Sequence, residues 1–190
     1  IQYYVQDSDY YIALFPTNRE TIEHIALDSR TKEINRNAFY ACIRLTSVTL
    51  PEGLTTIGMQ AFCACYSLTS ITIPSTVTSL GYQAFYLDSA LAEVYNLSSK
   101  TIQAGVSDSY YLGNYAKVVH TSLSETSKLE EIDGCVYYKE SDSSYILLTL
   151  KDFTKTSVTI DNRTTRIGER AFFNCGNIVN IDFNACTNLT

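Results

Sequence analysis

LTSVTLPEGLTTIGMQAFCACYS (45–67) and LTSITIPSTVTSLGYQAFYLDSA (68–90) are two adjacent copies of one pattern. An Ala-Phe pair marks the pattern and occurs four times, at Ala38-Phe39, Ala61-Phe62, Ala84-Phe85 and Ala171-Phe172. The first three copies are 23 residues apart. A fixed period in the twenties is typical of solenoids, in which each repeat buries its apolar side by stacking on its neighbours. The sequence therefore predicts a solenoid.

Each copy predicts one coil of this solenoid. An alternating strand ends at Pro51 or Pro74, because proline cannot donate to a sheet ladder. A second apolar pair follows, and then a column of Gly or Asn that we interpret as a turn with left-handed backbone. The residues from this column to the next Cys suffice for one or two helical turns. The predicted fold class is α/β, with a parallel sheet on one side of the solenoid and short α- or 3₁₀-helices on the other.

The repeats form two predicted modules, each beginning with a β-hairpin. Residues 3–15 and 134–150 each have two apolar or aromatic strands around an acidic, serine-containing turn. Module one (1–120) contains hairpin 3–15, coils at about 20–97, and an irregular loop with a closing strand at 98–120. Module two (121–190) contains a connection at 121–133, hairpin 134–150 and coils at 155–190. Because the sequence stops within the repeat pattern, we expect it to be a piece of a longer protein.

Composition limits the classes of partner. The 190 residues have a net charge of −6 and no basic run, which argues against nucleic-acid binding. No apolar run approaches the roughly 20 residues that span a bilayer, so we expect no membrane insertion.

The six cysteines fit a structural role better than a chemical one. Cys42, Cys65, Cys175 and Cys186 occupy one column of the repeat, where a small buried residue is expected. Disulfides and a metal site are the alternatives, and the spacing of the cysteines is unlike that of zinc sites. Cys63 and Cys135 lie outside the column. We therefore predict that these two are the more reactive thiols.

Catalytic motifs are missing from the sequence. It has two histidines and no Gly-rich phosphate loop, nucleophile elbow or His-Glu-x-x-His motif. The acidic pairs fall in turns, where solvated charge is the simpler interpretation. We predict a protein that is not an enzyme and that uses no cofactor or metal.

The repeat resembles the BspA-like leucine-rich repeat, the Treponema pallidum type. The resemblance rests on the order apolar pair, Pro, apolar pair, Ile-Gly, Ala-Phe, Cys and Leu, and covers about 22–97 and 155–190. It implies a leucine-rich-repeat solenoid in a secreted or cell-surface bacterial protein that mediates adhesion, without catalytic residues. Asp88 in place of Cys, and the loss of Ala-Phe from the next coil, imply an interrupted stack.

A binding face is predicted on the strands, where residues between the apolar positions point outward. These residues are His24, Ser47, Thr49, Ser70, Thr72, Glu93, Tyr95, Thr159, Asn180 and Asp182. Tyr95 is the best aromatic anchor among them. The alternative is that Ser and Thr are simply suitable solvent-facing strand residues.

Three functional hypotheses follow from the sequence and the resemblance. The first is an adhesion or protein-binding module for a host or cell-surface protein. The second is a structural spacer inside a larger surface protein, and the third is a glycan-binding module. The sequence does not distinguish oligomeric states.

Overall fold

The structure, a computed structural model, describes residues 2–7, 10–183 and 186–190. The chain divides into two compact units, Ile1–Glu125 and Thr126–Thr190. This boundary lies near the one between the predicted modules, at 120 and 121. Each unit contains an antiparallel hairpin followed by short parallel strands.

Unit 1 is a stack of coils with strands on two sides. Its described strands are β1 (Gln2–Asp7), β2 (Tyr10–Phe15), β3 (His24–Ala26), β4 (Thr31–Ile34), β5 (Ser47–Thr49), β6 (Thr56–Ile57), β7 (Ser70–Ile73), β8 (Ser79–Leu80), β9 (Glu93–Asn96) and β10 (Val118–His120). One sheet has the order β1-β2-β4-β6-β8. On the other side, β3 pairs with β5, and β7, β9 and β10 form a parallel sheet.

The first hairpin extends one of these sheets. Strands β1 and β2 pair antiparallel, and β2 pairs parallel with β4 through Ala13 and Ile34. Residues 8 and 9, in the predicted turn of this hairpin, lie outside the described residues. The closing strand expected near the end of module one is β10, which pairs parallel with β9.

The predicted short helices are wrong. No described residue is helical; each Ala-Phe segment is instead a series of turns, which we call the turn ridge (35–42, 58–65 and 81–88 in unit 1). Non-glycine residues with positive φ interrupt any helix, at Asn37, Ala41, Gln60, Ala64, Gln83 and Leu87. Local bonds such as Ala61 N–H to Gly58 O alternate with bonds between coils such as Phe62 N–H to Ala84 O (2.9 Å). A helix would use all of these amides within one coil.

The Gly column has a different cause from the one predicted. Gly58 and Gly81 do not have positive φ; the left-handed residues come two positions later, at Gln60 and Gln83. A Cβ on Gly58 would lie 2.6 Å from the Arg36 backbone nitrogen. Glycine is required because the previous coil passes too close for a side chain.

The core of unit 1 is a set of stacked columns. Rings of Phe39, Phe62 and Phe85 are fully buried and stack with centroid distances of 5.1 and 5.3 Å. Ala38, Ala61 and Ala84 are equally buried beside them. The inward orientation predicted for the Ala-Phe pair is therefore confirmed.

Irregular residues cover the last turn-ridge coil of unit 1. The Gln83 and Phe85 amides donate to the carbonyls of Ser109 and Tyr110, at 2.8 and 2.9 Å. Asp108 fixes this segment by accepting from the Tyr110 and Leu112 amides. The loop thus supplies the acceptors that a following coil supplies elsewhere.

Unit 2 begins with an antiparallel meander. Its described strands are β11 (Leu129–Ile132), β12 (Cys135–Ser141), β13 (Ser144–Leu150), β14 (Ser157–Thr159), β15 (Thr164–Ile167) and β16 (Asn180–Asp182). β12 and β13 form the expected hairpin, and β11, within the predicted connection 121–133, pairs with β12. β13 pairs parallel with β15, and β14 with β16. The core of unit 2 contains the fully buried side chains of Tyr137, Tyr145 and Leu147.

Candidate functional site

The first part of the predicted binding face is exposed as expected. His24, Ser47 and Thr49 point to solvent, and the His24 Nδ1 lies 2.8 Å from the Ser47 Oγ. Ser70 and Thr72 on β7 are half-buried. β5 and β7 lie side by side, although no ladder joins them among the described residues. The face is therefore continuous in space, but it consists of two separate ladders.

Glu93 is the main departure from the predicted face. It pairs in register with Ser70 and Val118, and its side chain is 0% exposed. The Tyr95 hydroxyl donates to its Oε2 at 3.3 Å, and the His120 Nε2 lies 3.8 Å from its Oε1. Glu93 therefore belongs to a buried polar cluster and cannot contact a partner.

Tyr95 is also less available than predicted. Its ring is half-buried and stacks on the His120 ring with a centroid distance of 4.4 Å. The other His120 nitrogen, Nδ1, lies 3.1 Å from Glu125 Oε2. Glu125 also accepts hydrogen bonds from the Thr121 and Ser122 amides. Together with the bond from His120, these hydrogen bonds lower the pKa of Glu125. The contacts of this cluster hold residues 120–125 against the end of unit 1.

The remaining predicted residues lie in unit 2. Thr159 and Asn180 are exposed and Asp182 is half-buried, with Thr159 opposite Asp182 on β14 and β16. They form a patch within unit 2.

The cysteines are free thiols, and most are buried. Burial raises the pKa of Cys63 and Cys135 to about 11 each, so these two are not the reactive thiols that the sequence suggested. Cys42 and Cys65 are buried as expected for the column, and Cys175 and Cys186 are half-buried. The described residues contain no group of three or more His, Cys, Asp or Glu that could hold a metal ion.

Asp88, the substitute in the Cys column, is a buried carboxyl group. Its Oδ1 accepts from the Cys65 amide at 2.8 Å, and its Oδ2 has no hydrogen-bond partner among the described residues. Burial raises the pKa of Asp88 well above its usual value, and the bond from Cys65 offsets this only in part. An ionised carboxylate here is costly.

Replacing Asp88 with Asn is expected to raise the free energy of unfolding by about 1–3 kcal/mol at pH 8. Since the folded pKa is raised, the native chain holds a proton that the unfolded chain releases above about pH 4, and stability falls as pH increases. Urea unfolding at pH 5 and pH 8 should show a smaller pH dependence in Asp88→Asn. Asp28→Asn, at an exposed ion pair, is the control. A lower stability of Asp88→Asn at pH 8 would contradict this account.

A second surface, not predicted from the sequence, lies on the turn ridge. Tyr82 and Tyr40 are 56% and 41% exposed there. They occupy the positions two residues before and two residues after the Ala of the Ala-Phe pair. Those columns vary between copies, and tyrosines in such columns were the signal that could have identified this surface.

Comparison with known proteins identifies the repeat. The family model described as BspA type leucine rich repeat region matches in six copies over residues 15–141 and 149–190. None of the curated proteins compared with the chain matches it. No described helix is long and apolar enough to cross a membrane.

Several solved bacterial structures match the chain at low identity. A leucine-rich cell surface protein from Faecalibacterium prausnitzii is 20% identical with a TM-score of 0.41, covering 90% of this chain and 47% of its own. The T. pallidum leucine-rich repeat protein is 16% identical with a TM-score of 0.34, covering 100% and 87%. One from Eubacterium ventriosum is 17% identical with a TM-score of 0.38, covering 97% and 60%. The chain spans about half the length of the F. prausnitzii protein.

Proposed function

Since the chain belongs to the BspA-type leucine-rich repeat family, whose repeats are typically protein-binding and non-enzymatic, we propose that it is an adhesion module of an extracellular or cell-surface protein. Its partner is a host or cell-surface protein. It acts by binding alone, without a cofactor or a catalytic residue.

The observation that supports this proposal is the polar face of β3, β5 and β7, which is exposed on β3 and β5 and half-buried on β7. Ser47 and Thr49 stand in register with His24 and Ala26, and β7 lies beside β5 with Ser70 and Thr72. Hydrogen bonds between coils hold this scaffold. A rigid surface loses little conformational entropy on binding. His24, Ser47, Thr49, Ser70 and Thr72 are the proposed contact residues, and Tyr95 contributes the exposed part of its ring. In unit 2, Thr159, Asn180 and Asp182 form the proposed equivalent patch.

Immobilised chain should be tested against a panel of purified extracellular-matrix proteins and against a glycan array. We expect a protein ligand whose binding is lost in the double variant Ser47→Arg and Ser70→Arg, because two bulky charges block the face. Ser79→Arg, at an exposed serine on β8 of the other sheet, is the matched control and should bind normally.

The other hypotheses correspond to different results of this experiment. Binding to glycans alone, lost in the same double variant, would favour the glycan-binding module. Failure to bind either probe set would favour the structural spacer.

A further inference from the structure

The turn ridge of unit 1 has the composition of a protein interface. Cores of protein interfaces are enriched in Tyr, Met and Arg and depleted in Lys, Asp and Glu. The ridge presents Tyr40, Tyr82 and part of Tyr86, with Met59 and Arg36 between and beside them. Hydrogen bonds from Asn37 to Met59 and from Gln60 to Tyr82 bring these positions onto neighbouring coils.

Charge is almost absent from this surface. Of the residues in 35–42, 58–65 and 81–88, the charged ones are Arg36, which is exposed, and Asp88, which is buried. Elsewhere the chain is rich in acids, with 20 Asp and Glu in total. The ridge segments are thus aromatic and free of exposed acids, and the cations at this surface are Arg36 and Arg19, whose guanidinium donates to the Asn37 and Tyr40 carbonyls.

The ridge is also rigid. Three amides of each of its first two coils donate to the next coil, and the Gln60 side-chain amide donates to the Gln83 side chain at 3.0 Å. The Tyr86 ring packs edge-on against Tyr111 at 4.8 Å. Tyrosines on such a support offer large contact area at low entropic cost.

We propose that the turn ridge of unit 1 is a second docking surface, for a protein partner that presents an apolar patch with a carboxylate opposite Arg36. This rests on the proposed function of the chain as a binding module, but on a surface separate from the sheet face. Tyr40 and Tyr82 are the anchors, and Arg36 pairs with the carboxylate of the partner.

A protein fits this surface better than a glycan does. Sugar recognition needs polar groups that fix the hydroxyls of the ligand. On the ridge, the Gln60 and Gln83 amides are bonded to each other, and the acid of these segments, Asp88, is buried. The exposed residues of the ridge are Tyr40, Tyr82, Arg36 and Asn35, so no acidic side chain is available there to bind sugar hydroxyls.

The probe is a phage-displayed library of random peptides, selected on the wild-type chain, with a glycan array as the second arm. We expect the selected peptides to combine aromatic or aliphatic residues with Asp or Glu. Their affinity should fall at least about tenfold in the double variant Tyr40→Ser and Tyr82→Ser. Arg36→Gln should mainly slow association and reduce its salt dependence.

Leu123→Ser is the matched control, since Leu123 is 63% exposed at the end of unit 1 and outside the ridge. It should leave peptide affinity unchanged. Melting curves should show that both ridge substitutions leave the fold intact, as expected for exposed side chains.

Peptides that bind the Tyr40/Tyr82 variant as tightly as the wild type would overturn the ridge proposal. If the Ser47/Ser70 variant instead fails to bind those peptides, the proposed function stands and the ridge proposal alone fails. Selection of no peptide overturns it as well. If the ridge variant loses glycan binding but keeps its affinity for the peptides, the ridge binds a sugar and the proposal is contradicted.

Discussion

Replacing Phe62 with alanine is expected to lower the free energy of unfolding by about 3–5 kcal/mol. The Phe62 ring is fully buried and stacks between Phe39 and Phe85. Coils joined by hydrogen bonds on both sides of Phe62 cannot move inward to fill the cavity. The loss should appear in thermal and urea unfolding of the whole chain.

Tyr40→Ala is the control for this experiment, because it removes an aromatic ring from an exposed position on the same ridge. It should change stability by less than about 0.5 kcal/mol. An equal effect of the two substitutions would show that the stacked Phe column is not what stabilises the coils.

Gly81→Ala is expected to destabilise unit 1 by about 1–3 kcal/mol, as overpacking does. A Cβ at residue 81 would lie 2.3 Å from the Met59 nitrogen and 2.4 Å from the Gly58 carbonyl carbon. Both neighbours are backbone, so no side chain can rotate away. The two coils must separate, which weakens the hydrogen bonds between them.

Gly176→Ala is the matched substitution, because a Cβ there meets no atom within 4 Å. Thermal melting should show little change for Gly176→Ala and a clear decrease for Gly81→Ala. An unaffected Gly81→Ala variant would mean that glycine at this position is not required by the approach of the previous coil.

Periodicity predicts the scaffold because the repeat determines which side chains are buried. The Ala-Phe column points inward as expected, and the strands before Pro51 and Pro74 are present as β5 and β7. The helices were predicted wrongly because the left-handed positions are occupied by residues such as Gln60 and Ala64, which give no sequence signal. The Gly column is visible in the sequence, but its cause lies in the neighbouring coil.

The candidate site was harder to predict than the scaffold. Alternation along β9 places Glu93 outward, but its burial depends on contacts with His120, 27 positions later in the chain. One strand pattern contains no information about such a distant segment. Tyr40 and Tyr82 occupy turn columns that vary between copies, so the repeat pattern does not determine whether their side chains are exposed.

The hydrogen bonds between coils give the turn ridge an electrical polarity. At each junction, N–H groups such as those of Asn37 and Phe39 donate toward the following coil, so the peptide dipoles add as they do in a helix. At the carbonyl end, the Arg19 guanidinium donates to Asn37 and Tyr40, both at 3.3 Å. At the amide end lies the Asp108 carboxylate. A cation and an anion thus complete a dipole without any helix, and exchanging their signs would oppose it.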